Sequence, residues 1–591
     1  MSSKSSSKKS SSKKNGSSAA GNARRAKFLD DLSEAYNLRR KSLVLLTGDV
    51  HGSFYNSVDD DYVSLEQALV GELGSKFNLM RIDIASGVGF YDIETELEVI
   101  RISESTDGKE VPESRRQLMK ELIDRSRHNP LQALVLLRGI ADAFQRARQA
   151  GESIRPLCLV LQYAGALFPN GDFTRLSELD RQRLVLFLHW ANDPTFVDGP
   201  DLLILINPVK SEVNAKIIAL PAATHHEIQL PELDERRRFV DWFRRDHKKL
   251  RFEGGKDKFC EDSAGLTLTS IKDLLEVASR GGNRVLRSDV VQEVNRLLEA
   301  ELGEIIRIKY PKHGPDDIIG YKNTGEIFRT IFERCEEEET AVSAILVSGP
   351  NGGGKTFQLE AHASASGRVV VELAGIRGSF FGETDKFFEL LRWHIATFGK
   401  ILILVDEAHT AFGSIHSGET HKTEKRLSGN IIKMMGDPSF LGKVLWGLMT
   451  SRPDELDPDI KSRSPIQIPI FDLEGDDRQT FVNEMFRRKG IELGADELAE
   501  IIDQTGYYSA RDFRNLVAEV LASRRKSPDI AATKVLEGWQ ASRSIERERE
   551  LQELIAALHC SYPKLLPSRL QEMSENEIVE RVEKIKWMLQ R

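Results

Sequence analysis

The chain lacks most of the features that mark secreted, membrane-inserted or metal-stapled proteins. It has four cysteines in 591 residues, and none of them forms a Cys-x-x-Cys pair. This scarcity argues against a disulfide framework and a zinc site and favours a reducing compartment, so we expect a cytoplasmic protein. No apolar run approaches the length of a membrane-spanning helix, and the Ser/Lys-rich N-terminus has no apolar core like that of a secretory signal. We therefore expect no membrane insertion.

A strong charge of one sign is also missing. The net charge of −8 is spread along the chain, without the basic face that is typical of a nucleic-acid-binding domain, so nucleic acid is not an expected partner. Residues 1–26 are the exception, because they are basic and too poor in apolar side chains to offset the entropy of ordering. We expect a disordered solubilising tail. The alternative is a contact for nucleic acid, an acidic partner or a nuclear import factor.

After the tail, two segments each alternate short apolar runs with helical patterns. The apolar runs are at 43–46, 157–161 and 202–206 in the first segment and at 344–348, 369–373, 401–405, 444–449 and 466–470 in the second. Such alternation predicts the α/β class, with a parallel sheet covered by helices and a helical lid in each of two tandem modules. The predicted parts are a tail at 1–26, a first module at 27–285, a second α/β subdomain at 286–475, its lid at 476–541 and a helical extension at 542–591.

One loop of the second segment has the spacing of a phosphate-binding loop. It follows the run at 344–348 and precedes a helical pattern, which is the strand–loop–helix context of a P-loop. Glycines let backbone N–H groups converge on phosphate oxygens, and we expect Lys355 to pair with the β- and γ-phosphates and Thr356 to bind Mg²⁺. The alternative is a glycine-rich turn without a ligand. The predicted nucleotide contacts here are Gly349, Pro350, Asn351, Gly352, Gly353, Gly354, Lys355, Thr356 and Phe357.

An Asp-Glu pair directly follows the apolar run at 401–405. Open α/β sheets bind ligands at the carboxyl ends of their strands. We therefore expect Asp406 to hold Mg²⁺ and Glu407 to polarise the attacking water as a general base. The alternative is a solvated turn, but together with the upstream loop the pair predicts hydrolysis of ATP.

Residues from about Asp316 to Leu521 resemble the classical AAA clade of AAA+ ATPases, which includes the valosin-containing-protein, N-ethylmaleimide-sensitive-factor and proteasomal ATPases. Beside the two motifs above, the resemblance is carried by DDIIGYKNTGEIF, SFFGETDKFFELL, LMTSRPDELDPDIKSRSP and GYYSARDFRNLV. It implies an ATPase that uses ATP and Mg²⁺, forms a homo-oligomeric ring, most commonly a hexamer, and acts on a protein client. It also implies that Ile319 and Gly320 touch the adenine.

The resemblance implies further roles for single residues. Phe380, Phe381 and Gly382 correspond to the loop that lines the central pore and grips an extended polypeptide; the alternative is that both Phe side chains belong to the core. Ser451, beside Thr450, stands where the family usually has the sensor-1 Asn, and a hydroxyl can still bind the attacking water.

Two arginines complete the set of implied site residues. Arg463, in preference to Lys461, corresponds to the arginine finger that reaches a neighbouring subunit, and the alternative is a solvated basic loop. Arg511 corresponds to the sensor-2 residue that faces the γ-phosphate, and the alternative is a surface pair with Asp512.

The first segment retains the layout of the second but not its chemistry. Gly48 and Gly52 remain after its first strand without a Lys-Ser/Thr pair, Gln162 and Tyr163 replace the Asp-Glu pair, and Asn207 stands in a sensor-1-like place. We predict a degenerate AAA-like module that does not hydrolyse ATP; the alternative is an unrelated α/β domain.

The leading hypothesis is an ATP-hydrolysing ring ATPase that remodels or unfolds protein clients or complexes. The alternatives are a nucleic-acid motor or loader and an ATP-gated assembly scaffold. The missing basic face argues against the first alternative. The intact Glu407 argues against the second, because a pure switch does not require rapid hydrolysis.

Overall fold

The computed structural model describes residues 26–37, 42–103, 113–302, 306–373, 384–412 and 422–590. These residues divide into two compact units, with the boundary between Ile228 and Gln229. Among them, no helix is both long and apolar enough to cross a membrane.

The first unit contains a six-stranded sheet and a separate two-stranded hairpin. Its strands are β1 (Leu43–Gly48), β2 (Ser53–Asn56), β3 (Asp61–Ser64), β4 (Asn78–Asp83), β5 (Gly87–Phe90), β6 (Leu157–Gln162), β7 (Leu202–Ile206) and β8 (Ala223–Ile228). Its helices are α1 (Lys27–Asn37), α2 (Leu65–Leu73), α3 (Ile93–Ser103), α4 (Glu113–Ser126), α5 (Pro130–Gln149), α6 (Ala164–Leu167), α7 (Glu178–Ala191), α8 (Pro194–Val197) and α9 (Ala215–Ile218).

Helices cover both faces of this sheet, and alternate residues of a strand serve different cores. Leu43 and Leu45 pack with α3, α5 and α7, whereas Val44 and Leu46 pack with α1 and α2. A strand buried on both faces reads as a continuous apolar run, which explains why the sequence pattern located β1, β6 and β7. The sheet order is β5-β4-β6-β7-β1-β8, and β5 alone is antiparallel to its neighbour within it.

The second unit contains another six-stranded sheet. The unit's strands are β9 (Arg251–Phe252), β10 (Arg284–Val285), β11 (Ile306–Lys309), β12 (Ala344–Ser348), β13 (Val369–Leu373), β14 (Ile401–Val405), β15 (Val444–Thr450) and β16 (Ile466–Pro469). The helices that precede or cover the sheet are α10 (Leu233–Phe243), α11 (Lys256–Asp262), α12 (Leu268–Arg280), α13 (Arg287–Leu302), α14 (Lys322–Arg334), α15 (Lys355–Ala365), α16 (Thr384–Thr397), α17 (Ala408–Ala411), α18 (Lys422–Met435) and α19 (Pro458–Arg463).

A helical region follows the second sheet. Its helices are α20 (Gly475–Arg487), α21 (Ala495–Gln504), α22 (Ala510–Arg524), α23 (Ala532–Gly538), α24 (Glu546–Leu558), α25 (Ser568–Gln571) and α26 (Glu575–Leu589). α20 to α23 enclose a core of their own around Phe486, Phe513 and Leu516. α24 and α26 form a second core with Phe471, which lies two residues after the end of β16. The lid and the C-terminal extension are therefore separately packed.

The two large sheets have the same strand order. The second reads β11-β13-β14-β15-β12-β16, with β11 antiparallel and the other strands parallel. Counted in chain order, the first parallel strand of each sheet lies between the fourth and the fifth parallel strands. In the first sheet β1 lies between β7 and β8, and in the second β12 lies between β15 and β16. The antiparallel edge strand follows its neighbour in the first unit and precedes it in the second. The predicted α/β class with two tandem modules is confirmed, while the predicted domain boundaries stay predictions.

Candidate functional site

The loop between β12 and α15 has the geometry of a phosphate cradle. α15 begins at Lys355 after Gly354, whose φ of +92° is left-handed and favours glycine. The unpaired N–H groups of the first turn of α15 therefore adjoin the loop, where they favour an anion. The Lys355 ammonium donates hydrogen bonds to Gly349 O and Pro350 O at 2.9 and 3.2 Å, so the loop itself holds this cation in place.

Two carboxylates follow β14 at its carboxyl end. Glu407 has a φ of +47°, and the Thr410 hydroxyl of α17 donates a hydrogen bond to its carbonyl oxygen at 2.7 Å. A left-handed backbone is costly for a residue with a side chain, so the surrounding structure must hold this turn. Burial lowers the pKa of Lys355, and the charges of Glu407 and Asp406 oppose that shift. The ammonium and the two carboxylates are therefore electrostatically linked.

A cavity of about 530 Å³ brings most of the sequence-predicted residues together. Its lining includes Ile319, Asn351, Gly352, Gly353, Gly354, Lys355, Thr356, Phe357, Asp406, Glu407 and Arg511. The Thr356 hydroxyl and the Asp406 carboxylate supply the oxygen ligands that Mg²⁺ prefers. Backbone N–H groups, an ammonium and a guanidinium around the same space suit a polyphosphate. The residues present thus fit a nucleotide with its magnesium ion.

Other predicted residues lie elsewhere. Gly320 lines a neighbouring cavity of about 570 Å³, and Ser451 is buried. Arg463 is the last residue of α19, and its guanidinium lies against Gly436, just after α18. The predicted pore residues lie outside the described part of the chain: Phe380, Phe381 and Gly382.

The hydroxyl that faces the Asp-Glu turn belongs to Thr450, the last residue of β15. Thr450 Oγ1 lies 2.8 Å from Nδ1 of His409 and accepts a hydrogen bond from the Arg452 N–H at 2.9 Å. The same Nδ1 lies 3.4 Å from Oε2 of Glu407. The family resemblance points to Ser451 rather than Thr450 and implies no role for His409. The available signal in the sequence is a His two residues after Glu407.

The lid adds residues that the sequence reasoning did not assign. Phe481 and Met485 of α20 give the cavity an apolar wall, and Arg514 lies on α22 three residues after Arg511. An apolar wall suits a purine base, and a second guanidinium suits further phosphate oxygens. The three-residue spacing of the two arginines, which puts them on one helix face, was the available signal.

The cap of α22 explains why Arg511 is available to the cavity. Oδ2 of Asp512 accepts hydrogen bonds from the Ser509 N–H and hydroxyl at 2.8 and 2.7 Å, in a capping box at the start of the helix. The Asp512 carboxylate is thereby engaged with the backbone. This arrangement favours a role for Arg511 in the cavity over a surface pair with Asp512.

Helix α24, which follows the lid, contacts the phosphate loop from outside the cavity. The Asn351 N–H donates to Oε1 of Gln552 at 3.0 Å, and Nε of Arg549 donates to Asn351 O at 3.1 Å. Arg549 also donates to Tyr507 O in the lid at 3.2 Å and to Asp472 after β16 at 2.6 Å. One guanidinium therefore joins the phosphate loop, the lid and the end of the sheet. No local sequence pattern indicates such a contact, because its partners are far apart in the chain.

The loop after β1 in the first unit differs from a phosphate cradle. It turns at Gly48 and leads into the hairpin β2–β3, and α2 begins only at Leu65, so no helix begins within residues 42–64. The Asp49 carboxylate lies against Gly52 and is buried.

The turn after β6 in the first unit retains the backbone of the Asp-Glu turn without its charges. Tyr163 has a φ of +52°, close to the +47° of Glu407, and each residue is followed by a short helix, α6 or α17. Gln162 and Tyr163 thus stand where Asp406 and Glu407 stand in the second unit. The first unit has the backbone geometry of the Asp-Glu turn but no carboxylate at either position.

Two family models match this chain. Residues 345–471 match the family described as "ATPase family associated with various cellular activities (AAA)", a range that holds the phosphate loop, the Asp-Glu turn and β15. Residues 18–229 match the family described as "AAA+ chaperone, N-terminal Rossmann-like domain", which covers the described part of the first unit.

Individual relatives are similar at low identity. Spastin from Anopheles gambiae is 23% identical over 184 residues, which cover 30% of this chain and 22% of the relative. The proteasome-associated ATPase from Streptomyces griseus is 25% identical over 260 residues, or 38% of this chain and 44% of the relative. Fidgetin-like protein 1 from Homo sapiens is 23% identical over 253 residues, or 39% and 36%. The chain thus spans less than half the length of each of these relatives.

Proposed function

From the premise that the chain belongs to the AAA+ ATPase superfamily, in its classical AAA clade and with a degenerate first module, we propose that its second unit hydrolyses ATP to ADP and phosphate in a Mg²⁺-dependent reaction. The observation that carries the proposal is the single cavity lined by Lys355, Asp406, Glu407 and Arg511. We take residues 286–475 as the α/β subdomain of this ATPase, 476–541 as its lid and 542–591 as its extension.

Five residues of the cavity have distinct tasks in the proposed reaction. Lys355 and the N–H groups at the start of α15 bind the phosphates, and Arg511 adds positive charge from the lid. Glu407 accepts a proton from the attacking water as general base. Thr356 and Asp406 would hold Mg²⁺, which neutralises charge that develops on the phosphate oxygens.

We further propose a homo-oligomeric ring, with a hexamer as the expected form. Arg463 ends α19 with an exposed side chain, as a finger directed at a neighbouring copy would require. Ser451 stays assigned beside Thr450 at the sensor-1 end of β15, where a hydroxyl can orient the attacking water. The four cysteines are free thiols, which suits work in a reducing compartment such as the cytoplasm.

The substrate of the ring is proposed to be a protein that it remodels or unfolds. Support comes from the family description of the first unit as that of an AAA+ chaperone and from the proteasome-associated ATPases among the relatives. Phe380, Phe381 and Gly382 are the proposed pore contacts for this client. ATP turnover that rises with an unfolded protein such as casein, but not with single-stranded DNA, is expected; stimulation by DNA alone would favour a nucleic-acid motor instead.

The hydrolytic assignment is tested by Glu407→Gln in the full-length chain. Loss of the general base should slow ATP turnover by at least about 100-fold and leave ATP binding intact. Glu339→Gln, at an exposed acidic residue that does not line the cavity, serves as the matched control and should turn over ATP like the wild type. Turnover is measured by phosphate release, binding with a fluorescent ATP analogue, and assembly by sedimentation in ATP.

Glu407→Gln should also accumulate as an ATP-bound ring, because the variant binds ATP but does not hydrolyse it. A wild-type protein that neither turns over ATP nor assembles in ATP and Mg²⁺ would contradict the proposal. A Glu407→Gln variant as active as the control would contradict the assigned base.

A further inference from the structure

His409 lies between the proposed general base and the end of a neighbouring strand. Its imidazole is largely buried, with Nδ1 at 2.8 Å from Oγ1 of Thr450 and at 3.4 Å from Oε2 of Glu407. The Thr450 hydroxyl is itself held by the N–H of Arg452 at 2.9 Å. One imidazole nitrogen is therefore fixed by β15 on one side and faces the catalytic carboxylate on the other.

The neighbours of Nδ1 indicate which nitrogen of the ring carries the proton. An ionised carboxylate can only accept hydrogen bonds, and the hydroxyl of Thr450 can also accept. A proton on Nδ1 lets the ring donate to Oγ1 of Thr450 at 2.8 Å and turn the same N–H group towards the Glu407 carboxylate at 3.4 Å, whereas a bare nitrogen lone pair would face that carboxylate unfavourably. His409 therefore presents an N–H group to Thr450 and Glu407.

The first unit offers an internal comparison for this arrangement. On the strand that precedes each loop, Leu46 of β1 is paired with Ile206, and Val347 of β12 is paired with Met449. The residues that follow these partners, Asn207 and Thr450, therefore correspond to each other. There, Oδ1 of Asn207 accepts a hydrogen bond at 2.9 Å from the N–H of Gly165, the residue two positions after Tyr163. In both units a hydrogen bond therefore links the turn after the central strand to the end of the neighbouring strand. This bond involves an imidazole only in the second unit, where the turn carries Glu407.

We propose that His409 is a positioning residue for Glu407. The proposal rests on the hydrolytic function assigned to that Glu. The Nδ1–H group restrains one carboxylate oxygen, so that the other remains directed at the attacking water. Without this contact a half-exposed Glu side chain loses a restraint on its rotamers, and a small misplacement of a catalytic group is costly in rate.

Two substitutions of His409 separate positioning from bulk packing. His409→Asn retains an N–H donor at nearly the place of Nδ1, whereas His409→Leu retains volume without a donor. We expect His409→Leu to lower kcat at least about tenfold while KM and the affinity for a fluorescent ATP analogue stay near the wild-type values, because only the reacting geometry is lost. His409→Asn should recover most of that loss, and the exposed His189→Leu should have no effect.

Thr450→Val provides a second test if His409→Leu unfolds, which thermal denaturation would reveal. Thr450→Val removes the hydroxyl that holds the imidazole, so kcat should fall at unchanged ATP affinity. The double variant Thr450→Val, His409→Asn should lose no more activity than Thr450→Val alone, since both changes act through one contact.

Three results would overturn the proposal. They are a wild-type kcat in His409→Leu, an equal loss in His409→Leu and His409→Asn, and a loss that appears in ATP affinity rather than in kcat. These results differ from a failure of the proposed hydrolysis itself, in which the wild type would turn over no ATP and Glu407→Gln would change nothing.

Discussion

At the scale of single residues, local spacing indicated the groups that we propose to bind phosphate and Mg²⁺, but not the groups that we propose to position Glu407. Lys355 and Asp406 stand in motifs whose residues are close in sequence, so a strand–loop–helix reading was sufficient to propose them. Thr450 and His409 meet only through the pairing of β14 with β15. A contact that depends on strand order could not be read from either segment alone.

A buried histidine in the second unit predicts a dependence of stability on pH. His362 of α15 is 6% exposed and packs against the rings of Phe328 and Phe332. Burial lowers the pKa of His362 to about 4 in the folded protein. In the unfolded chain this imidazole is protonated below about pH 6.5, whereas in the folded protein it stays neutral until the pH approaches 4. Folding stability contributed by this residue is therefore present above pH 6.5 and is lost as the pH falls towards 4.

His362→Leu should reduce this loss. Between about pH 7.5 and pH 5 the wild type is expected to lose about 1–2 kcal/mol through this residue, which amounts to a few degrees in Tm. Thermal denaturation at both pH values measures the effect, with the exposed His128→Leu as control. Equal pH sensitivity in His362→Leu and in the wild type would contradict the burial argument. Part of the sensitivity should remain, because burial also lowers the pKa of His225 to about 4.

At the scale of helices and strands, continuous apolar runs predicted the central parallel strands well. The pattern missed β4, β5 and β11. β4 carries Asn78 and Arg81 within its span, β5 is half glycine, and β11 has only four residues with alternate charges. Edge and near-edge strands are less buried and need no uninterrupted apolar run. The pattern also missed the hairpin β2–β3, which follows β1 at the place where helix α15 follows β12 in the second unit.

The attachment of α24 to the phosphate loop leads to a prediction about this element. Arg549→Gln removes the guanidinium that joins Asn351, Tyr507 and Asp472. Partial burial raises the pKa of Asp472 despite Arg549, so the change leaves a partly desolvated carboxyl group without this ion-pair partner. We expect a loss of about 2 kcal/mol in stability and a several-fold weaker affinity for ATP.

Thermal denaturation and titration with a fluorescent ATP analogue measure the two effects of Arg549→Gln. Arg547→Gln, on the exposed side of the same helix, is the matched control and should leave both unchanged. If the two variants behaved alike, α24 would be attached by its apolar contacts alone and would not influence the nucleotide site.

At the scale of the whole molecule, we propose nucleotide chemistry for only one of two modules that share a strand order. The turns after β6 and β14 have nearly the same backbone, so fold alone does not separate them. The two modules differ in the side chains at this turn and in the element that follows the first parallel strand, which is a hairpin after β1 and a helix after β12. A helix N-terminus at Lys355 can bind phosphate, whereas the hairpin after Gly48 cannot offer that dipole.

The most direct test of this division is the number of ATP molecules that bind to each full-length chain. Calorimetric titration of Glu407→Gln with ATP and Mg²⁺ avoids turnover and counts the sites. We predict a single ATP per chain, and none after Lys355→Ala is added to that variant. A second ATP per chain, or binding that survives Lys355→Ala, would show a nucleotide site in the first unit and contradict the account.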